Sequence, residues 1–244
     1  MPVQRKKRKM SYEEHKEDHK TGRGVTLRDM ILGGQDGLVN VLGIILGVAA
    51  ATVDVRIVII AGLVATFAES ISMAAVAYTS TKAQKDFYKS ELHRERTEME
   101  EVPHFEKREI REIYHQKGFR GKLLSQVVNK ITSNKRVWLE TMMHEELHLF
   151  PDDYDKPLRS AVLVGISAIL GSLVPLIPFF VGIPVFMSMI ASVVLSIIVL
   201  FGVGYAKAKL TIGSAGKSGI EMALVGILSA IAGYVVGTIL VGIL

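Results

Sequence analysis

A long stretch without a single charged side chain limits what this chain can fold into more than any other feature. No Asp, Glu, Lys or Arg occurs from Ser160 to Ala206. A helix that crosses the hydrocarbon core of a bilayer needs about 20 apolar residues, so the stretch is long enough for two crossings. Lipid offers no partner to a free backbone N–H or C=O group, and both crossings must therefore be helical. The sequence predicts an all-α, multi-pass integral membrane protein.

Five transmembrane helices are predicted on the same grounds. Their approximate bounds are Asp29 to Ala51, Val55 to Ser80, two helices that divide the charge-free stretch near Gly182, and Gly219 to Leu244. The chain accordingly divides into a basic tail (1–27), transmembrane helices 1 and 2 (28–81), a charged insert (82–157) and transmembrane helices 3 to 5 (158–244).

The distribution of basic residues predicts the orientation in the membrane, because short loops rich in Lys and Arg stay in the cytosol. Arg5 to Lys9 form a basic run in the tail, and Lys207, Lys209 and Lys217 lie between the last two helices. The tail and the insert are therefore expected in the cytosol and the C-terminus on the other side. A basic run near a membrane helix is more typical of a lipid-facing tail than of nucleic-acid binding, so no nucleic-acid partner is expected. No cleavable signal peptide is visible.

The insert is predicted to be helical throughout. Lys82 to Glu101 lack Gly and Pro and would continue the second membrane helix. Further helices are expected at Phe105 to Gln116, Lys122 to Ile131 and, after the cap-like Ser133 and Asn134, at Lys135 to Phe150. The chain has no Cys, so any metal must be held by carboxylate, imidazole, thioether or backbone oxygen ligands.

Two carboxyl groups lie inside the predicted membrane helices, where ionisable groups are costly and usually face a polar cavity or pathway. Asp36 and Asn40 are four residues apart and share a face of the first helix. Glu69 and Met73 share a face of the second in the same way. A carboxylate with a thioether can coordinate a borderline cation such as Fe(II), so these four residues are predicted to line a transport path. The alternatives are a helix cap at Asp36, plain packing at Met73 and a protonated or snorkelling Glu69.

Three clusters of candidate metal ligands occur in the insert. They are Glu91, Glu95 and Glu98 in its first helix, Glu106, Glu109 and Glu112 in the next, and Met142, Met143 and Glu146 in the last. Residues three or four apart project from one face of a helix, and like charges there repel one another unless a partner is bound. A bound cation would be such a partner. The alternative is a solvated surface on which neighbouring Lys and Arg side chains pair with the carboxylates.

A different metal site is also compatible with the insert. Glu112 to His115 and Glu145 to His148 are both Glu-x-x-His motifs, which di-iron carboxylate bundles combine with one Glu from each of two further helices. Glu95 and Glu106 are candidates for those two residues. This arrangement would make the insert a membrane-anchored di-iron oxidase, although the motif is short and the predicted helices are short for a full bundle.

Four segments together resemble the vacuolar iron transporter family. They are Gly34-Gln-Asp-Gly-Leu-Val39, Ala68-Glu-Ser-Ile-Ser-Met-Ala74, Trp138-Leu-Glu-Thr-Met-Met-His-Glu-Glu146 and Leu173-Val-Pro-Leu-Ile-Pro178. The resemblance extends from about Thr26 to the C-terminus. Members of that family exchange cytosolic Fe(II), and often Mn(II), for protons. The resemblance implies five membrane helices and a homodimer whose interface holds the transport path, lined by helices 1 and 2, where Asp36 and Met73 contact the passing ion.

The resemblance also implies that the insert binds metal. The family's ligands fall on Glu95, Glu98, Glu106, Glu109, Met142, Met143 and Glu146. One position departs from the family pattern. Some relatives carry a glutamate two helical turns before the membrane methionine, where this chain has Ala65, and the nearby carboxylate here is Glu69. Glu69 is therefore the candidate for a second proton carrier beside Asp36.

The sequence thus predicts a transporter rather than an enzyme. It would move Fe(II), and also Mn(II), out of the cytosol in exchange for protons, with the metal as substrate and no tightly bound cofactor. Its expected partners are metal ions, protons, the lipid bilayer and a second copy of the chain. The alternatives are the di-iron oxidase and a metal channel or sensor without proton coupling. The expected location is the cell membrane in a prokaryote or the vacuolar membrane in a eukaryote.

Overall fold

The computed structural model describes residues 22–150, 156–211 and 213–243, and every regular element in these ranges is helical. The eight α-helices in these ranges are α1 (Gly22–Ala51), α2 (Val55–Glu101), α3 (Pro103–Gln116), α4 (Gly121–Thr132), α5 (Lys135–Thr141), α6 (Pro157–Leu176), α7 (Val185–Leu210) and α8 (Ala215–Ile243). A π-helical turn, Met142–Glu146, follows α5 directly, and a 3-10 turn, Ile177–Phe180, follows α6.

Five of the described helices are long and apolar enough to span a membrane, namely α1, α2, α6 with its 3-10 turn, α7 and α8. This confirms the five predicted crossings. The charge-free stretch divides at residues 181–184, where Gly182 has a φ of 81°, a conformation that residues with a side chain rarely adopt. Two helices begin earlier than predicted, α1 at Gly22 and α8 at Ala215. The predicted basic tail up to residue 21 and residues 151–155 of the predicted insert lie outside the described residues.

Helix α1 packs against each of the other four spanning helices. Two glycine contacts hold it close to its neighbours. A Cβ atom at Gly171 of α6 would overlap the carbonyl oxygen of Gly34, and one at Gly233 of α8 would overlap that of Gly43. Such close approaches stabilise helix pairs in lipid, where apolar side chains gain little by leaving the solvent. They also set the rotation of α1, and with it the direction that the polar residues between Gly34 and Gly43 face.

Helix α2 is one continuous helix of 47 residues, as the sequence predicts for a second membrane helix that continues into the insert. At 1.5 Å per residue it is roughly twice as long as the hydrocarbon core of a bilayer is thick. Glu69 is the only charged residue of α2 between Arg56 and Lys82, and charged residues are frequent from Lys82 onward. The second half of α2 therefore leaves the apolar bundle and forms the first helix of the insert.

The other helices of the insert pack on this second half of α2 around a core of their own. The buried members of that core are Met99, Ile110, Leu124, Val128, Trp138 and Met142. Helix α5 begins at the predicted cap, because the Asn134 side chain accepts hydrogen bonds from the backbone N–H groups of Arg136 and Val137. The insert thus has its own hydrophobic core, separate from that of the spanning helices.

The last helix of the insert is shorter than the sequence predicts. The prediction extends it to Phe150, but α5 gives way to the π-helical turn and residues 147–150 are not helical. His148 has a φ of 54°, and a left-handed residue stops a right-handed helix. The backbone N–H of Leu149 instead donates back to the carbonyl oxygen of Met143 at 2.9 Å.

Candidate functional site

The junction of α2 and α3 brings carboxylates from both helices together. Pro103 opens α3 directly after Val102, so the first turns of α3 lie beside the last turns of α2. One carboxylate oxygen each from Glu95, Glu98 and Glu106 lies within 4.8 Å of the other two. Two rows that are separate in sequence therefore form one group of carboxylates that could hold a metal ion.

Two of these carboxylates are buried and incompletely hydrogen-bonded. Glu95 is 2% exposed and Glu106 is 3% exposed. The Oε2 atom of each is buried and accepts no hydrogen bond from the described residues. A buried polar atom without a partner costs on the order of 1–3 kcal/mol, and more when it is charged. A bound cation would satisfy both oxygens at once.

Burial and mutual repulsion raise the pKa of three carboxyl groups in this region, Glu95, Glu106 and Glu146. The pKa of Glu106 rises from 4.5 to about 8, first because the group is buried and then because other carboxylates lie near it. Those carboxylates are Glu109, Glu95, Glu98 and Glu146. Glu146 is exposed at its surface but partly surrounded by protein, and its pKa rises to about 7 through this partial desolvation and through Glu109, Glu95 and Glu98. These five residues form one electrostatic unit, here named the carboxylate cluster, and near neutral pH it holds protons that a metal ion would displace.

The π-helical turn carries the third predicted group of ligands to the same region. Met142 and Met143 are fully buried on this turn, Glu146 ends it, and the turn packs against both α2 and α3. Single π-helical turns occur frequently at functional sites. Carboxylate and thioether donors from three elements are thus assembled in the insert, a donor set that suits a borderline divalent metal such as Fe(II).

Glu112 is not part of the carboxylate cluster. It is exposed on α3, and its Oε1 atom accepts a hydrogen bond from the side chain of Gln116 at 3.3 Å. Glu145 forms an ion pair with Lys117. His115 and His148 are exposed. The two Glu-x-x-His motifs are therefore not brought together with the carboxylate cluster, and the geometry of a di-iron carboxylate bundle is not formed.

A second polar group lies between α1 and α2, at half-buried positions of these two spanning helices. The Asn40 side chain donates to Asp36 Oδ2 at 3.3 Å along one face of α1. The carboxyl group of Glu69, on α2, lies near both Asp36 and Asn40 and interacts with them electrostatically. Two carboxyl groups form a hydrogen bond only when one of them carries a proton, because an ionised carboxylate can only accept. Three of the four predicted path residues thus meet, and Met73 follows Glu69 by one helical turn on α2.

One buried carboxylate was not predicted as a functional residue. Asp29 is 2% exposed, and it lies two helical turns before Asp36 on α1. Its Oδ2 atom accepts a hydrogen bond from the hydroxyl of Ser160 on α6 at 2.5 Å, and its Oδ1 atom pairs with Arg28 at 3.0 Å. The hydrogen bond from Ser160 ties α1 to α6. The seven-residue spacing from Asp36 was the available signal, since residues seven apart share a helix face.

Known proteins match this chain over nearly the same residues as the resemblance predicted from the sequence. The sequence model of the VIT family matches residues 27–238. Vacuolar iron transporter 1 of Eucalyptus grandis is 36% identical over 223 residues, which cover 91% of this chain and 89% of that protein. Vacuolar iron transporter 1 of Arabidopsis thaliana is 34% identical over 220 residues, 90% of this chain and 88% of that protein. The vacuolar iron transporter of Plasmodium falciparum is 30% identical over 238 residues, 93% and 86% of the two chains.

Proposed function

The chain belongs to the VIT family, and from that premise we propose that it carries Fe(II), and also Mn(II), out of the cytosol in exchange for protons. Membership of a transporter family makes it a transport protein rather than an enzyme. The observation that carries the proposal is the contact between Asp36 and Glu69 within helices that can span a membrane. Two carboxyl groups in contact need a cation between them, and both a proton and a divalent metal meet that need.

The proton and the metal ion compete for the carboxyl groups of Asp36 and Glu69, and this competition couples their movements. When no metal is bound, a proton bridges the pair and Asn40 donates to Asp36. A metal ion needs deprotonated carboxylates, so its arrival releases the proton. The metal then has oxygen donors from Asp36 and Glu69 and the thioether of Met73 one turn away. Glu69 thereby serves as the second proton carrier beside Asp36.

The insert gathers metal for this path. Its ligands are Glu95, Glu98, Glu106, Glu109, Met142, Met143 and Glu146. Its position in the cytosol is supported by the basic residues at the corresponding ends of the spanning helices. A local excess of negative charge raises the concentration of divalent cations near the bundle. The transport path needs polar groups on both of its walls. A second copy of the chain, joined through the exposed faces of α1 and α2, would supply the second wall.

Reconstitution of the full chain into liposomes tests the proposal. Metal influx is followed with a metal-quenched dye and lumenal pH with a pH-sensitive dye in the same vesicles. The wild-type protein is expected to move Fe(II) and protons in opposite directions, and Asp36→Asn is expected to abolish both movements. Glu221→Gln is the matched control, because Glu221 is an exposed carboxylate early in α8, away from the pair.

Each other outcome points to a different function. Normal transport by Asp36→Asn would contradict the membrane site. Metal flux without any proton movement would indicate a channel, and metal binding without flux a sensor. Glu69→Gln separates the two roles of the pair, because it keeps a neutral hydrogen-bond partner for Asp36 but removes one titrating group. It is expected to lower the number of protons moved per metal ion, measured as the ratio of the two initial rates.

A further inference from the structure

One arginine lies among the carboxylates of the insert. The Nη2 atom of Arg94 is 2.7 Å from Glu91 and 3.5 Å from Glu95, and its Nε atom is 3.9 Å from Glu98. The Arg94 side chain is 51% exposed, whereas that of Glu95 is 2% exposed. A positive charge therefore reaches one oxygen of the buried Glu95 carboxylate from solvent.

The ion pairs of Arg94 differ from those of other basic residues in the insert. Lys117, Lys135 and Arg136 pair with Glu145, Glu100 and Glu140, respectively, which are not members of the carboxylate cluster. Arg94 alone among these four residues pairs with cluster members. It also lowers the pKa of Glu146, against the effect of the neighbouring carboxylates. A guanidinium stays charged at any physiological pH, so its effect on the cluster is permanent.

We propose that Arg94 is the resident counter-cation of the carboxylate cluster and that an incoming divalent metal displaces its guanidinium onto Glu91. This inference rests on metal binding by the insert, and it makes metal loading an exchange of cations rather than an addition of charge. The function of the exchange is to limit affinity. A cluster of five carboxylates with no internal competitor would retain the ion, whereas one with Arg94 beside it returns the ion for transfer to the membrane path.

The geometry around Arg94 supports this exchange. Glu91 is already its closest partner, one helical turn away from the cluster and on the same face of α2. The contacts with Glu95 and Glu98 are longer, so they are the ones that a metal ion can replace with little movement of the arginine side chain. The buried Oε2 atom of Glu95, which has no hydrogen-bond donor among the described residues, faces no such competition and is free to accept the metal.

Co(II) binding to the full-length protein in detergent tests the proposal. Co(II) is used because it does not oxidise during the measurement. Asp36→Asn is present in every sample, so that the measured binding is that of the insert and not of the membrane path. Arg94→Gln is expected to lower the Kd roughly tenfold, because a divalent ion and a guanidinium a few ångströms apart repel one another even in a water-rich site. Glu91→Gln is expected to raise the Kd several-fold, because the guanidinium then remains on Glu95 and Glu98.

Two further samples make the test specific. The double variant Arg94→Gln/Glu91→Gln is expected to bind as tightly as Arg94→Gln alone, since Glu91 acts only through the arginine. Arg96→Gln is the matched control, an exposed arginine on the same helix that is expected to leave the Kd unchanged. Emission from Trp138, the one tryptophan of the chain, checks that the core of the insert is intact in each variant.

The outcomes separate this proposal from the one on which it rests. If the parent protein binds Co(II) and Arg94→Gln leaves the Kd unchanged or raises it, Arg94 is only a structural ion-pair partner and the exchange is wrong. A double variant that binds more weakly than Arg94→Gln would also overturn it, since Glu91 would then be a metal ligand itself. A parent protein that binds no Co(II) would contradict metal binding by the insert, and both proposals would fall.

Discussion

If the insert binds metal as proposed, the protonation of Glu106 and Glu146 makes that binding depend on pH. The pKa of Glu106 is raised to about 8 and that of Glu146 to about 7. At pH 7 both groups are at least partly protonated, so metal binding is expected to release about one to two protons. The sign follows from competition, because acid favours the proton and alkali favours the metal. The logarithm of Kd is expected to fall by about one to two per pH unit at pH 7 and to become independent of pH above about pH 9.

Glu106→Gln tests this reasoning directly. The variant retains an oxygen donor but lacks the titrating group, so the release at pH 7 is expected to fall by up to about one proton. Calorimetric titration with Co(II) in two buffers of different ionisation enthalpy counts the protons, again with Asp36→Asn present throughout. Glu112→Gln is the control, because Glu112 is exposed on the same helix and bonded to Gln116. A release near zero in the parent protein, or the same release before and after Glu106→Gln, would refute the argument.

Three substitutions test how the structure is held together. Gly171→Ala places a methyl group on a backbone oxygen of α1 and is expected to destabilise the bundle by about 2 kcal/mol or more in detergent unfolding, whereas Gly202→Ala, with nothing within 4 Å, is expected to be neutral or stabilising. Ser160→Ala removes the hydroxyl donor of a buried carboxylate and is expected to cost about 1–3 kcal/mol in the same measurement; no loss would mean that water replaces the hydroxyl. Asn134→Ala removes the cap of α5 and is expected to cost the insert about 1 kcal/mol, read from Trp138 emission during unfolding.

The acidic rows show how far spacing alone predicts a ligand set. Glu106 and Glu109 belong to the carboxylate cluster, but Glu112, which continues the same row, does not. A step of three residues falls about 60° short of a full helical turn. Two such steps rotate Glu112 about 120° away from Glu106, which places it on the exposed side of α3. Equal spacing therefore predicts neighbours reliably over one step and poorly over two.

The last group of ligands shows a different limit. The sequence predicts the membership of Met142, Met143 and Glu146 by resemblance, but not the π-helical turn that carries them. A π-helical turn depends on packing against α2 and α3 and on the left-handed residue His148, neither of which has a distinct local pattern. The buried Asp29 was missed for a related reason. Its partner Ser160 lies far away in the chain, and no local pattern indicates that the two meet.

The number and approximate position of the membrane helices were determined by the sequence alone. A bilayer imposes a one-dimensional requirement, about 20 apolar residues in a row, and local composition is enough to satisfy it. The approach of Asp36 to Glu69, and that of Glu106 to Glu95 and Glu98, were decided by tertiary structure. The crossing of α1 with α2 and the turn between α2 and α3 place these groups close to one another, whereas the ion pairs of Arg94 lie within α2 and follow from helical spacing. The angles between these helices depend on contacts among several helices, so no single segment of the sequence determines them.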